Sequence, residues 1–290
     1  MTGSIFAEDY GRLIVQGADQ PGIVSRVSSV LAEHGANVVA LDQSTSDPAG
    51  GRFFQRTVFH LPDLSGKLDE LNQALEAKLV DDLGLTYRLV EAKRRKRVAI
   101  MVSKTDHCML DLLWRQRRGE LHMTIPMVIS NHPDLGDDVR QFGIPFFHVP
   151  VEKDDKAAAE KEHLNLLKGN VDLVVLARYM QIISGEFLDE VGVPVINIHH
   201  SFLPAFMGAG PYQRAKERGV KLVGATAHYV TEDLDEGPII EQDVIRVSHR
   251  ESTRDLQRKG ADVERLVLSR AVSWHCDDRV IRDGNTTVVF

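Results

Sequence analysis

Residues Asn197 to Asp235 read NIHHSFLPAFMGAGPYQRAKERGVKLVGATAHYVTEDLD. The run Val193 to Ile196, apolar but for one proline, ends on Asn197, Ile198 and His199, so a buried strand delivers an amide and an imidazole. A second apolar strand, about Leu222 to Val230, delivers Thr231, Glu232, Asp233, Leu234, Asp235, Glu236 and Gly237 to a turn. In an open α/β sheet, ligands bind in the crevice beyond the strand ends. If the two strand ends are neighbours, Asn197, His199 and one of the two aspartates face one pocket. An amide donor, an imidazole and a carboxylate suit polarising a carbonyl and managing a proton. Each residue taken singly is better explained by capping a loop or satisfying backbone; the set is not.

Upstream of this stretch, strands are expected at 98–102, 125–130, 145–149 and 171–176. Helices are expected from Cys108 and over 157–167, and a C-terminal helix over 255–274 before a closing hairpin near the chain end. Strands alternating with helices imply a mostly parallel, doubly wound sheet, Rossmann-like in outline. The glycine fingerprint G-x-G-x-x-G is absent, so dinucleotide binding is not expected.

The first ninety residues have a different pattern. Gly11 to Gln16 reads as a strand, and Ile23 to His34 as a helix with apolar Ile23, Val27, Val30 and Leu31, ended by Gly35. Ala36 to Ser46 and Arg52 to Leu61 read as strands around a turn at 47–51. Leu64 to Leu79 reads as an amphipathic helix and Leu85 to Val90 as a last strand. The order is β-α-β-β-α-β, ferredoxin-like. Lys93 to Arg97, five consecutive basic residues, reads as a solvated linker. The expected organisation is a first domain over 1–92, a linker over 93–97 and a second domain over 98–290.

With 290 residues and a formal net charge of −7, nothing global favours nucleic acid. Two cysteines, Cys108 and Cys276, make neither a disulfide framework nor a zinc spacing, and read as free thiols of a reducing compartment. No apolar run approaches the ~20 residues of a membrane span. The start MTGSIFAEDYG lacks the features of a signal peptide. A cytoplasmic protein without membrane or nucleic-acid partners is expected.

Three blocks, N-I-H-x-S-x-L-P-x-F-x-G, G-A-T-A-H-Y-V and E-D-L-D-E-G-P-I-I, keep a spacing that resembles the folate-dependent formyltransferases from about Arg97 to the C-terminus. The resemblance implies that Asn197, His199 and Asp235 are catalytic. Leu176 to Ser184, L-A-R-Y-M-Q-I-I-S, resembles the family's folate-pocket segment, which implies that Met180, Gln181, Ile182 and Ile183 bind substrate; His228, Glu232 and Asp233 are implied with them. The segment D-Q-P-G-I-V-S-R-V-S-S-V-L-A-E-H-G-A-N-V resembles an ACT domain. That implies an amino-acid effector at Asp19, Gln20, Pro21 and Gly22 and a homo-oligomer, dimer or tetramer. The fold implied is an N-terminal ACT domain plus a Rossmann-like formyltransferase domain.

Within the family, the loop after the first strand of the second half carries Ser103, Lys104, Thr105, Asp106 and His107 and no glycine. Backbone approach to a phosphate is thereby obstructed, and Asp106 repels one. The run V-S-K-T-D-H-C-M-L-D-L-L, the ACT-like half and the second histidine in N-I-H-H resemble the branch that passes the formyl group to water, the formyltetrahydrofolate deformylases. This implies hydrolysis of 10-formyltetrahydrofolate to formate and tetrahydrofolate, serving one-carbon balance and purine synthesis, with no tightly bound cofactor and no metal. Two alternatives stay open: transfer to an amine such as glycinamide ribonucleotide, and a non-catalytic amino-acid sensor. The role of Asp235, as base or as the group that holds His199 in its protonation state, also stays open.

Overall fold

The computed structural model describes residues 8–152, 155–204 and 211–290. The A-F-M-G-A-G part of the long motif, residues 205–210, lies outside them. The packing divides the chain into two units. The first runs through Arg95 and takes in Asp277–Ile281 and Val288–Phe290; the second comprises Lys96–Cys276 and Arg282–Thr287.

The first unit is built from β1 (Tyr10–Ala18), α1 (Ile23–Glu33), β2 (Asn37–Thr45), β3 (Arg52–His60), α2 (Leu64–Leu75) and β4 (Thr86–Glu91). Its sheet has the order β2-β3-β1-β4, antiparallel throughout. This is the expected ferredoxin-like arrangement. Helix α1 buries Ile23, Val27, Val30 and Leu31, the stripe that the sequence spacing implies. Gly35, at φ 79°, closes it: its N–H donates to the Ala32 carbonyl and the Ala36 N–H to that of Leu31. The expected helix over 64–79 splits, because a π-helical stretch, Glu76–Asp81, follows α2 and keeps Leu79 buried.

The C-terminal segments differ from expectation. Arg12 on β1 is almost fully buried and needs a carboxylate, since an unpaired buried charge is strongly unfavourable. Asp278 supplies it at 3.0 Å and also pairs with Arg88. Ile281, Val288 and Phe290 complete a small apolar cluster with Ile14 and Phe54. Lys96 and Arg97, expected in a linker, instead open a strand of the second unit.

That unit runs β5 (Lys96–Val102), α3 (His107–Arg117), β6 (Met123–Thr124), β7 (Val128–Ser130), α4 (Gly136–Arg140), β8 (Phe146–His148), α5 (Lys156–Leu167), β9 (Leu173–Leu176), α6 (Gly185–Val191), β10 (Val195–His199), α7 (Pro211–Glu217), β11 (Leu222–Tyr229), β12 (Ile239–Arg246) and α8 (Thr253–Cys276). The chain ends in the hairpin β13 (Val280–Asp283) and β14 (Thr286–Val289). The large sheet has the order β12-β11-β10-β9-β5-β7-β8, with β6 beside β5. The pairs from β8 across to β10 are parallel. Val98 to Val102 and Leu173 to Leu176 are buried along their whole length, as a parallel sheet covered on both faces requires.

Two features of this sheet depart from the sequence reading. β11 runs antiparallel to β10, so the two strand ends are not neighbours; His199 at the end of β10 lies opposite Thr226 in the body of β11. β12 was not expected at all. It adds antiparallel to β11, and its centre is the polar Glu241, Gln242 and Asp243, which give no apolar alternation to read.

Candidate active site

Asn197 and His199 project from the same face of β10, because side chains alternate along a strand. Opposite Asn197 is His228 of β11. Beyond β11 the chain turns back, and Asp235, in the left-handed region at φ 59°, brings its carboxylate to the two imidazoles. Aspartate tolerates that conformation better than most residues. Asp235 Oδ2 lies 3.1 Å from His199 Nδ1, and Oδ1 lies 3.7 Å from His228 Nε2. Asn197 Nδ2 lies 3.3 Å from His228 Nε2. The return of the loop at Asp235, rather than a meeting of strand ends, assembles the group.

The proton positions follow from these partners. His228 Nδ1 faces the Tyr229 carbonyl at 3.0 Å, which only accepts, so Nδ1 carries the hydrogen. Burial lowers the His228 pKa and keeps the ring neutral, leaving Nε2 as an acceptor. The Asn197 amide must then turn its NH₂ toward His228. His199 Nδ1 faces a carboxylate and donates to it. Its Nε2 is buried without a hydrogen-bond partner among the described residues. The hydrogen bond from His199 holds the Asp235 pKa below the usual carboxylate value, against the opposing effect of burial. His200, the next residue, is pushed down to about 4 by burial and by the Arg178 charge, and is neutral.

The loop after His199 is pinned from the neighbouring strands. The Thr226 hydroxyl donates to the Ser201 carbonyl at 2.9 Å and accepts from the Leu203 N–H at 3.0 Å. The Gln242 amide reaches both Thr226 Oγ1 and the Leu203 carbonyl. The unexpected β12 therefore bears on the site through one residue.

A cavity of about 380 Å³ opens onto Asn197, His199, His228 and Asp235. Of the residues implied for substrate, Met180, Gln181, Ile182, Ile183 and Glu232 also line it. Met180 and Ile182 are 59% and 60% exposed and form an apolar rim, together with Leu234. Ile183 is buried and lines the cavity as part of the core cluster. Asp233 is not on the wall; it is exposed, and its carbonyl accepts from the Thr231 hydroxyl.

One cluster next to this cavity escaped the sequence reading. Glu264 of α8 is buried, yet its pKa falls to about 2, because His107, Arg178 and Tyr212 together outweigh the burial that opposes them. His107 Nε2 lies 2.8 Å from its Oε2, and the Tyr212 hydroxyl donates to Oε1 at 2.6 Å. Gly260, one turn before Glu264, leaves the room that Tyr212 occupies. Cys108 brings its sulfur within 4.8 Å of the His107 and Glu264 ligand atoms, a set that could in principle hold a metal ion. Both carboxylate oxygens are already engaged, Arg178 supplies the positive charge, and burial pushes the thiol up and keeps it protonated. The donor set suits an ion-pair network better than a cation site. Only the last residues of the loop at 103–107 hinted at this cluster, since Arg178, Tyr212 and Glu264 are far apart in sequence.

In the first unit, the side chains of Asp19 and Gln20 are engaged internally: Asp19 accepts from Thr45 at 2.7 Å, and Gln20 donates to the Leu83 carbonyl at 2.9 Å. Pro21 and Gly22 are exposed at the start of α1, whose N-cap residue, Gly22, has no side chain to cap it.

Residues 96–272, which hold the amide, imidazole and carboxylate described above, match the formyl transferase family, and residues 11–76 match the ACT domain. The formyltetrahydrofolate deformylase of Mycobacterium bovis is 62% identical over 282 residues, covering 97% of this chain and 91% of that protein. The crystal structure of a formyltetrahydrofolate deformylase from Pseudomonas syringae superposes with a TM-score of 0.93 at 45% identity, covering 97% of this chain and 94% of that one. A glycinamide ribonucleotide transformylase from Symbiobacterium toebii is more distant, with a TM-score of 0.64 and 28% identity, and covers 68% of this chain and 94% of that one. The chain belongs to the formyltetrahydrofolate deformylase family.

Proposed function

We propose that the protein hydrolyses 10-formyltetrahydrofolate to formate and tetrahydrofolate. The observation that carries this reading is the grouping of Asn197, His199 and Asp235 at one end of a cavity with an apolar rim. Water adds to the formyl carbon. The Asn197 amide, oriented by His228, donates to the formyl oxygen as it becomes an oxyanion. His199 Nε2, without a hydrogen-bond partner among the described residues, assists at the reacting centre as donor or proton carrier. Asp235, ionised and bonded to His199 Nδ1, fixes the imidazole and stabilises its charged form; the 3.1 Å contact favours this orienting role over direct abstraction from water. The carbon–nitrogen bond breaks, and the departing nitrogen takes a proton. Met180 and Ile182 offer apolar surface to the flat pterin ring, with Gln181, Glu232 and neighbouring backbone at its polar edges.

The finer parts of the reading rest on separate observations. No described helix is long and apolar enough to cross a membrane, and with the buried cysteines Cys108 and Cys276 this supports a cytoplasmic enzyme. A homo-oligomer is supported by β2, an edge strand that exposes Val38, Val39 and Leu41 along with one row of its backbone groups. An amino-acid effector is supported by the exposed start of α1 at Pro21 and Gly22, where helix N–H groups suit a carboxylate. The formate released would enter purine synthesis, and no tightly bound cofactor is required by the proposed steps. The test is incubation with 10-formyltetrahydrofolate alone. Formate should appear without any amine, at a rate unchanged by glycinamide ribonucleotide; dependence on the ribonucleotide would replace hydrolysis by transfer.

A further inference from the structure

Arg178 follows β9 with φ +66°, a left-handed conformation that an arginine side chain disfavours. Such conformations persist where the surroundings over-determine them, and they concentrate at functional sites. Its side chain is mostly buried and lines the cavity shared with Asn197 and His199. The Glu264 carboxylate lies 3.6 Å from Nε. That carboxylate already accepts from His107 on one oxygen and from Tyr212 on the other. Among the described residues, Arg178 Nε and Nη1 have no hydrogen-bond partner. A buried guanidinium is normally satisfied, and five donors in a planar fork match a carboxylate.

The charges around Arg178 leave it able to attract an anion. Glu264 offsets its charge at a distance longer than a hydrogen bond. His200 beside it is neutral, and Asp235 is committed to His199. We propose that Arg178 is a carboxylate-binding residue that takes up the formate released beside His199. The inference rests on the hydrolytic reading above. In that reaction the oxygen of water bonds to the formyl carbon, the bond from that carbon to nitrogen breaks, and nitrogen keeps the electron pair and gains a proton. The formic acid formed loses its proton and becomes an anion. The substrate's formyl group is neutral, so Arg178 distinguishes product from substrate by charge. A purely structural Arg178, there only to neutralise Glu264, would bind no anion.

The test uses the full chain without turnover. Sodium formate is titrated calorimetrically into the protein saturated with tetrahydrofolate, against sodium chloride and against formamide, the neutral isostere. Formate should bind, and formamide and chloride should not. Arg178→Met should weaken formate binding roughly tenfold to a hundredfold, the size expected of charge-assisted hydrogen bonds. Arg178→Lys, which keeps the charge opposite Glu264 and so guards against misfolding, should lie between. Equal formate affinity in wild type and both variants, or equal response to formate and formamide, overturns the assignment. Formate binding through Arg178 in a protein that never releases formate from 10-formyltetrahydrofolate would sink the hydrolytic reading alone.

Discussion

His228 Nε2 and Asn197 Nδ2 meet at 3.3 Å across the β10–β11 pair, where the two residues are register partners. The imidazole can only accept at that atom, so it decides which way the amide points. His228→Leu should therefore lower kcat with little change in KM, since the donor to the oxyanion is no longer held. Loss of a hydrogen bond of this kind costs about 1–3 kcal/mol, or roughly tenfold to a hundredfold in rate. His228→Gln restores an acceptor carbonyl and should recover part of the loss. Steady-state kinetics of both variants decide it; equal defects in the two would assign His228 to packing.

Asp235→Asn is nearly isosteric but removes the negative charge beside His199. Turnover should fall by about 10²–10⁴-fold while tetrahydrofolate binding is retained. Formate release and a calorimetric titration with tetrahydrofolate check the two halves of this statement. Near-normal release would remove Asp235 from the mechanism.

His163 gives a stability prediction away from the site. Buried between Tyr179 and Phe187, it has a pKa of about 4 against the ordinary 6.5, because burial penalises its charged form. Between these values the unfolded chain binds a proton that the folded chain refuses, so stability is complete above the ordinary value and is lost as pH falls toward 4. His163→Phe should flatten that loss. Urea melts of the two proteins between neutral and mildly acidic pH measure the slopes, and identical slopes would place the acid sensitivity elsewhere.

Separating the units requires cuts that follow their packing. A fragment from Lys96 to the C-terminus keeps Ile281, Val288 and Phe290 but loses Ile14 and Phe54, the residues that cover them. It should aggregate more readily than a fragment in which these three are replaced by polar residues. Light scattering of the two fragments tests this. Amino-acid response, if seated at the start of α1, should be absent from both.

The ferredoxin-like half was legible because its periodicities are clean: four buried residues of α1 stand at helical spacing, and Gly35 marks the turn that follows. The parallel strands were legible for the opposite reason, as unbroken apolar runs. β12 was not, since Glu241, Gln242 and Asp243 occupy its centre. Within the site, Asn197 and His199 announce themselves by adjacency on one strand. The residue pattern alone left Asp233 and Asp235 open, and the family resemblance pointed to Asp235; the choice depends on a left-handed residue in a turn. Arg178, Tyr212 and Glu264 come from three elements, and only the tertiary structure gives them a common carboxylate.

Asp278 has a consequence for the order in which this protein is completed. Most of the first unit is made before the second, but its buried Arg12 waits for a carboxylate 266 residues further along. Ile14 and Phe54 wait likewise for Ile281, Val288 and Phe290. The amino-terminal unit therefore reaches its final packing only after residues 278–290 have been made. A chain stalled before Asp278 should hold that unit in a looser, protease-sensitive form, which limited proteolysis of nascent chains of graded length would display.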